Sequence, residues 1–170
     1  LEVQMNRSDL TSSHASRAGL WAGAAVLGAT LTATWVERRS RRAERAQPPA
    51  GRSIEVDGVR LHVVERGEGP PVVLIHGNMV SQRDFEASGL MERLARDHRV
   101  LAFDRPGFGH SSRPRDRLWT PTAQAELLHG ALVQLGVERA VVIGHSMGAM
   151  VALALALDHP EDVGRLVLLG

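Results

Sequence analysis

The sequence predicts an α/β protein: an open, mostly parallel, doubly wound sheet, incomplete at its C-terminus and preceded by an apolar N-terminal helix. Three observations predict it. From Val72 onward, apolar strand-like runs alternate with helix-like runs, the pattern of a parallel sheet with helices on both faces. The strand runs "VVLI", "VLAF" and "AVVI" are apolar throughout rather than alternating, as strands buried on both faces are. Each of these runs meets a turn residue at its end, Gly77, Asp104 and Gly144, and polar residues gather there. Ligands of open parallel sheets bind at that rim, beyond the carboxyl ends of the strands.

The chain of 170 residues divides into four segments: a tail (1–17), an apolar stretch (18–36), a basic segment and linker (37–52), and one domain (53–170). Residues 18–36 carry no charge, and as a helix they would reach ~28 Å at ~1.5 Å per residue, near the ~30 Å of a bilayer core. Trp21 and Trp35 stand near its ends, and five arginines follow in 37–45. On the positive-inside rule this reads as a single-pass, membrane-associated protein with its domain on the cytoplasmic side. A cleaved signal peptide and a surface-lying helix are the alternatives, and without the span the protein reads as cytoplasmic. Gly19 and Gly23 form one GxxxG, a possible helix-pairing pattern. Met5 reads as an initiator, with Leu1–Gln4 an upstream remnant.

Composition narrows the chemistry. There is no cysteine, which excludes disulfides and thiolate metal sites. There is also no lysine, so a phosphate-binding G-x-x-x-x-G-K-[ST] loop is ruled out. Residues 1–52 carry net charge +4 and residues 53–170 carry −3, with arginines scattered among acids in the domain. A nucleic-acid-binding face is therefore not expected.

In the domain, Ile54–Val56 and Leu61–Glu65 read as strands joined by an Asp57-Gly58 turn. Residues 72–77 and 99–104 read as buried strands, with one helix from Ser81 to about Arg96 between them. Residues 105–117 are a turn-rich loop. Pro121–Leu135 reads as a helix stopped by Gly136. Residues 140–144 are a strand, Met147–Asp158 a buried helix ended by His159-Pro160, and 165–170 a last strand. Met150, Val151, Leu153 and Leu155 read as core.

Gly144-His145-Ser146-Met147-Gly148 matches G-x-S-x-G between a strand and a helix. A turn that lifts a serine hydroxyl above the sheet forces close backbone approach on both sides, which requires Gly144 and Gly148. Ser146 is the candidate nucleophile. The N–H of Met147, opening the helix, is one candidate oxyanion donor, and the N–H of Asn78, after Gly77, is the second. His76 and Asp104 read as residues that hold their loops. The segment Gly107-Phe108-Gly109 begins a dinucleotide fingerprint, but Ser112 stands where its third glycine belongs.

Together "VVLIHGN", "DRPGFGHS" and "VVIGHSMGAMVALALALDHPEDVGRLVLLG" resemble the N-terminal half of an α/β-hydrolase of the serine-nucleophile branch. That resemblance implies a serine–acid–histidine triad in chain order, an oxyanion hole, no metal or organic cofactor, and a cap after the last strand. It implies an esterase- or lipase-like serine hydrolase that cleaves a small, lipophilic, ester-like substrate through an acyl-enzyme on Ser146. C–C bond hydrolysis, perhydrolysis, acyl transfer and a non-catalytic hydrolase-like fragment are the alternatives. Epoxide hydrolases and haloalkane dehalogenases of this fold use an aspartate nucleophile, and Ser146 argues against both.

The proton acceptor for Ser146 is harder to find. Asp158, His159, Glu161 and Asp162 follow it, but at the far end of a helix. A general base must come within ~2.6–3.2 Å of the hydroxyl, so His159 is not expected to serve. His145 leaves the turn in another direction, and His110 is the best candidate within the chain. The expectation is a truncated chain, inert by itself, with the acid and histidine supplied by ~100 further residues.

Overall fold

The computed structural model describes residues 21, 27–36, 38–39 and 50–170. It divides into two units, Leu1–Pro48 and Pro49–Gly170. In the first unit the described residues are helical. The single-pass membrane placement is not upheld: among the described residues, no helix is long and apolar enough to cross a membrane. Residues 27–36 would reach only ~15 Å at ~1.5 Å per residue. They include Thr30, Thr32 and Thr34, whose hydroxyls donate back to the carbonyls of Leu27, Gly28 and Leu31 at 2.8–2.9 Å. Residues 18–20 and 22–26 of the expected span, the tail 1–17, and residues 40–49 of the basic segment and linker lie outside the described residues.

The second unit is built on six strands: β1 (Arg52–Val56), β2 (Val59–Arg66), β3 (Pro71–Ile75), β4 (Arg99–Phe103), β5 (Ala140–His145) and β6 (Val163–Leu169). They lie in the order β1-β2-β4-β3-β5-β6. Strands β4, β3, β5 and β6 are parallel, and β1 and β2 join antiparallel at one edge. The β1–β2 hairpin turns on Asp57 (φ 49°) and Gly58 (φ 74°), the two positive φ values that a tight hairpin demands. Glu65 then ties β2 to its two neighbours, accepting from Arg52 Nη2 of β1 at 2.9 Å and Arg99 Nε of β4 at 2.6 Å.

The alternation of side chains along β3 separates two cores. Val73 and Ile75 face Leu128, Ala131 and Leu132 of α3 (Pro121–Leu135), and Val151 and Leu155 of α4 (Met147–Asp158). Val72 and Leu74 face Phe85 of α1 (Arg83–Ala87) and Met91 of α2 (Leu90–Leu94). The sheet is thus covered on both faces, as expected. The single helix expected over 81–96 is instead two short ones, because Gly89 adopts the left-handed conformation (φ 71°) between them. Helix α3 has the expected bounds: Thr120 caps it by accepting from Ala123 N–H, Pro121 opens it, and left-handed Gly136 closes it. Met150 and Leu153 are exposed on α4 rather than in the core, while Val151 and Leu155 are buried.

Candidate active site

Strand β5 ends at His145 and α4 starts at Met147, so one residue must make the whole change of direction. That residue is Ser146, at φ 52° and ψ −117°. This backbone conformation is costly for a residue with a Cβ, about 1–3 kcal/mol, and is kept only where the surroundings over-determine it. Two bonds hold the corner: Ser146 N–H donates to Leu169 O at 2.7 Å, and Ser146 O accepts from Ala149 N–H at 2.9 Å. The residue is exposed.

Contact requires Gly144 and Gly148, and Gly77 is closely packed. A Cβ on Gly144 would strike the main chain of Gly148 and stand 2.7 Å from Ala149 Cα. One on Gly148 would strike Ile75 O and stand 2.6 Å from His76 O, so α4 touches the end of β3 backbone to backbone. One on Gly77 would stand 3.2 Å from Ser146 Cβ. The pairing of Ile75 with Gly144 sets this approach and brings the His76-Gly77-Asn78 loop beside the Ser146 corner. Asn78 and Met147 line one cavity of about 170 Å³, together with Arg105, Phe108, Trp119 and Gln124. The structure therefore gathers Ser146, Met147, Asn78, Gly77, Gly144 and Gly148 at a single rim.

A buried guanidinium supports the loop. Arg105 follows β4, and its Nε donates to His76 O at 2.8 Å. Its Nη2 donates to Gly77 O at 3.0 Å and Asn78 Oδ1 at 2.7 Å, and its Nη1 to Gln124 Oε1 at 3.2 Å. Its main-chain N–H donates to His76 Nε2 at 2.9 Å. Since Nε2 accepts, the proton of His76 sits on Nδ1 and is donated to Gly77 O at 2.7 Å. This arginine was not singled out in the sequence, where it stands in a turn-rich loop. The available cue was its place at the carboxyl end of a buried strand.

Asp104 is equally committed. Its carboxylate accepts from His62 Nδ1 (2.8 Å), Gln82 N–H (2.9 Å) and His110 N–H (3.0 Å). It scaffolds the rim, and the His110 ring packs edge-on against His62 at 5.1 Å. Among the described residues, no histidine ring hydrogen-bonds to the Ser146 hydroxyl. His159 lies beyond the far end of α4, ~18 Å along its axis.

Burial pushes the His76 pKa below its ordinary 6.5, and the Arg105 cation adds to this against the backbone bond to Gly77. Burial alone would raise Asp104, but the bonds from His62, Gln82 and His110 outweigh it and hold the carboxyl below 3.8. Both groups are depressed in the fold, so their stability contribution is present at high pH and lost on acidification. For His76 the loss starts near pH 6.5 and ends below its folded value, and Asp104 adds a second step below pH 3.8. The urea midpoint should fall from pH 7.5 to 5, as the unfolding free energy drops by at most ~1.4 kcal/mol per pH unit for one proton. The slope should be shallower in His76→Gln, and equal slopes in the two proteins would remove His76 as the cause.

Comparison with known proteins agrees with this architecture. The chain is 38% identical over 128 residues to 2-hydroxymuconate semialdehyde hydrolase of Pseudomonas putida, covering 75% of this chain and 46% of that protein. The solved structure of an epoxide hydrolase from Vigna radiata superimposes with TM-score 0.64 at 30% identity, covering 70% of this chain and 39% of that one. That of an N-acyl homoserine lactone degrading enzyme gives TM-score 0.64 at 30% identity, covering 69% and 44%. The chain spans about half the length of the curated relatives it matches. The model of the alpha/beta hydrolase fold matches residues 70–170, from β3 to the last strand. By that match, and by the strand order and helix placement described above, the chain belongs to the alpha/beta hydrolase fold family.

Proposed function

We propose that the whole protein is a serine hydrolase acting on a carbonyl group of a small molecule. The observation that carries this reading is the exposed Ser146 on its strained corner, with the Gly77-Asn78 loop packed beside it. Ser146 Oγ adds to the carbonyl carbon as its proton passes to a base. The oxygen, now negative, accepts from the Met147 and Asn78 N–H groups at the start of α4 and in the adjoining loop. The base then protonates the leaving group as the bond breaks, and water releases the acyl group by the same steps. The family order of nucleophile, acid and histidine implies that this base follows Ser146 in the chain.

The bond broken is read first as ester-like. Phe108, Trp119 and Met147 give the adjoining cavity an apolar wall suited to a lipophilic acyl group. The lactone-degrading neighbour acts on a molecule whose hydrolysable bonds are acyl bonds. A second reading, C–C bond hydrolysis, is favoured by the 38% identical relative, because a semialdehyde carries no ester to cleave. Epoxide opening fits less well: an epoxide offers no carbonyl for a serine to attack.

A fluorophosphonate probe tests the shared step. In the native full-length protein it should form one adduct, on the peptide containing Ser146, and none after prior denaturation. An adduct on another serine, or none in a preparation that turns over substrate, would defeat the assignment. Rates on a p-nitrophenyl ester and on a dienoic semialdehyde then separate the two readings by which of them is turned over faster.

A further inference from the structure

At the opposite end of α4 from Ser146, a second group of side chains serves no purpose in the reaction described above. His129 stands on α3, and His159, Glu161 and Asp162 lie in the turn between α4 and β6. The two imidazoles stack with centroids 3.9 Å apart and planes 9° apart.

The hydrogen bonds say which nitrogens are free. Asp162, buried, accepts from His129 Nδ1 at 2.8 Å. That bond places the proton on Nδ1 and leaves His129 Nε2 available. A carboxylate behind the far nitrogen is the arrangement that orients metal-binding histidines and strengthens them as ligands. His159 Nε2 is buried without a hydrogen bond. It lies 3.1 Å from Glu126 Oε1 but without the alignment a hydrogen bond needs, and His159 Nδ1 lies 3.7 Å from Glu161 Oε1. One donor atom each from His129, His159 and Glu161 falls within 4.8 Å of the others.

We propose that His129, His159 and Glu161 form a binding site for a divalent cation of the zinc class, supported by Asp162. Two imidazoles and a carboxylate are a donor set for a borderline ion such as Zn²⁺ rather than for Ca²⁺ or Mg²⁺, which take oxygen. Three carboxylates, from Glu126, Glu161 and Asp162, surround the imidazoles and offset the positive charge. Glu126 lies one turn before His129 on α3 and is placed to become a fourth ligand. Binding turns one ring out of the stack so that the lone pairs converge. The ion would then join α3 to the turn that leads into β6, a structural role remote from the hydrolytic rim.

Titration of the full chain with ZnCl₂, followed by calorimetry and thermal unfolding, tests this. One equivalent should bind, and at ~100 times the dissociation constant Tm should rise by at least ~5 °C. His129→Gln and His159→Gln should each weaken binding by more than ~100-fold, and Asp162→Asn, which removes no ligand, by ~10–100-fold. Circular dichroism verifies that each variant is folded. Co²⁺ in the unaltered chain supplies a reading that needs no variant: visible absorption of a tetrahedral site, lost on adding Zn²⁺. Zinc binding that persists in the folded His129→Gln/His159→Gln double variant, or an unaltered chain that binds neither ion at submillimolar concentration, would overturn the site.

Discussion

Ser146→Ala is expected to lower turnover by ~10⁴–10⁶-fold in the full-length protein, with the unfolding midpoint almost unchanged. The size follows from the proposed role: without Oγ no covalent intermediate forms, and what remains comes from binding and the amide donors. Ser146→Gly separates function from strain. It removes the nucleophile as well, but it also frees a corner at φ 52°, ψ −117° from the cost of a Cβ. That relief of about 1–3 kcal/mol is partly offset by the ~0.5–1 kcal/mol entropic cost of glycine, so the net gain is up to about 2 kcal/mol. Urea unfolding and steady-state rates on the same preparations check both halves. Turnover within tenfold of the unaltered protein in Ser146→Ala would end the nucleophile reading. A destabilised Ser146→Gly would end the strain reading alone.

Gly148→Ala is expected to cost about 3 kcal/mol or more, unusually large for the addition of one methyl group. The obstacle is main chain: Ile75 O and His76 O, the latter 2.6 Å from the added carbon. A side chain in the way could rotate, but these carbonyls are the end of β3, which is paired on both sides by β4 and β5. Either α4 lifts from the sheet, opening the core around Val151 and Leu155, or β3 shifts and carries the Asn78 loop away from Ser146. Both outcomes depress turnover along with stability. A thermal or urea measurement showing a loss under about 1 kcal/mol would mean that α4 does not sit this close.

The parallel half of the sheet was legible because burial on two faces leaves a plain signature: "VVLI", "VLAF" and "AVVI" have no polar face to show. The hairpin was legible through Asp57-Gly58, and the corner through the glycines at 144 and 148, whose small size is itself the record of close contact. The break at Gly89 was less so, since apolar spacing runs on across it and only its left-handed φ divides the helix. The N-terminal stretch gave a mixed signal: it has the length and lack of charge of a membrane span, but it is rich in alanine, glycine and threonine. Arg105 could not be placed from sequence. Its partners, His76, Gly77, Asn78 and Gln124, come from two other segments, which the pairing of β3 with β4 and the packing of α3 bring to it. The His129–Asp162 bond was hidden for the same reason, spanning 33 positions of chain.

The rim is assembled from the ends of three neighbouring strands, β3, β4 and β5, with the middle one in sequence, β4, at one side of the trio and β3 at its centre. Each strand end brings its own short segment: Gly77-Asn78 after β3, Asp104-Arg105 after β4 and Ser146-Met147 after β5. A protease cut or a dose of denaturant that frees any one strand therefore erases the whole constellation in the same event.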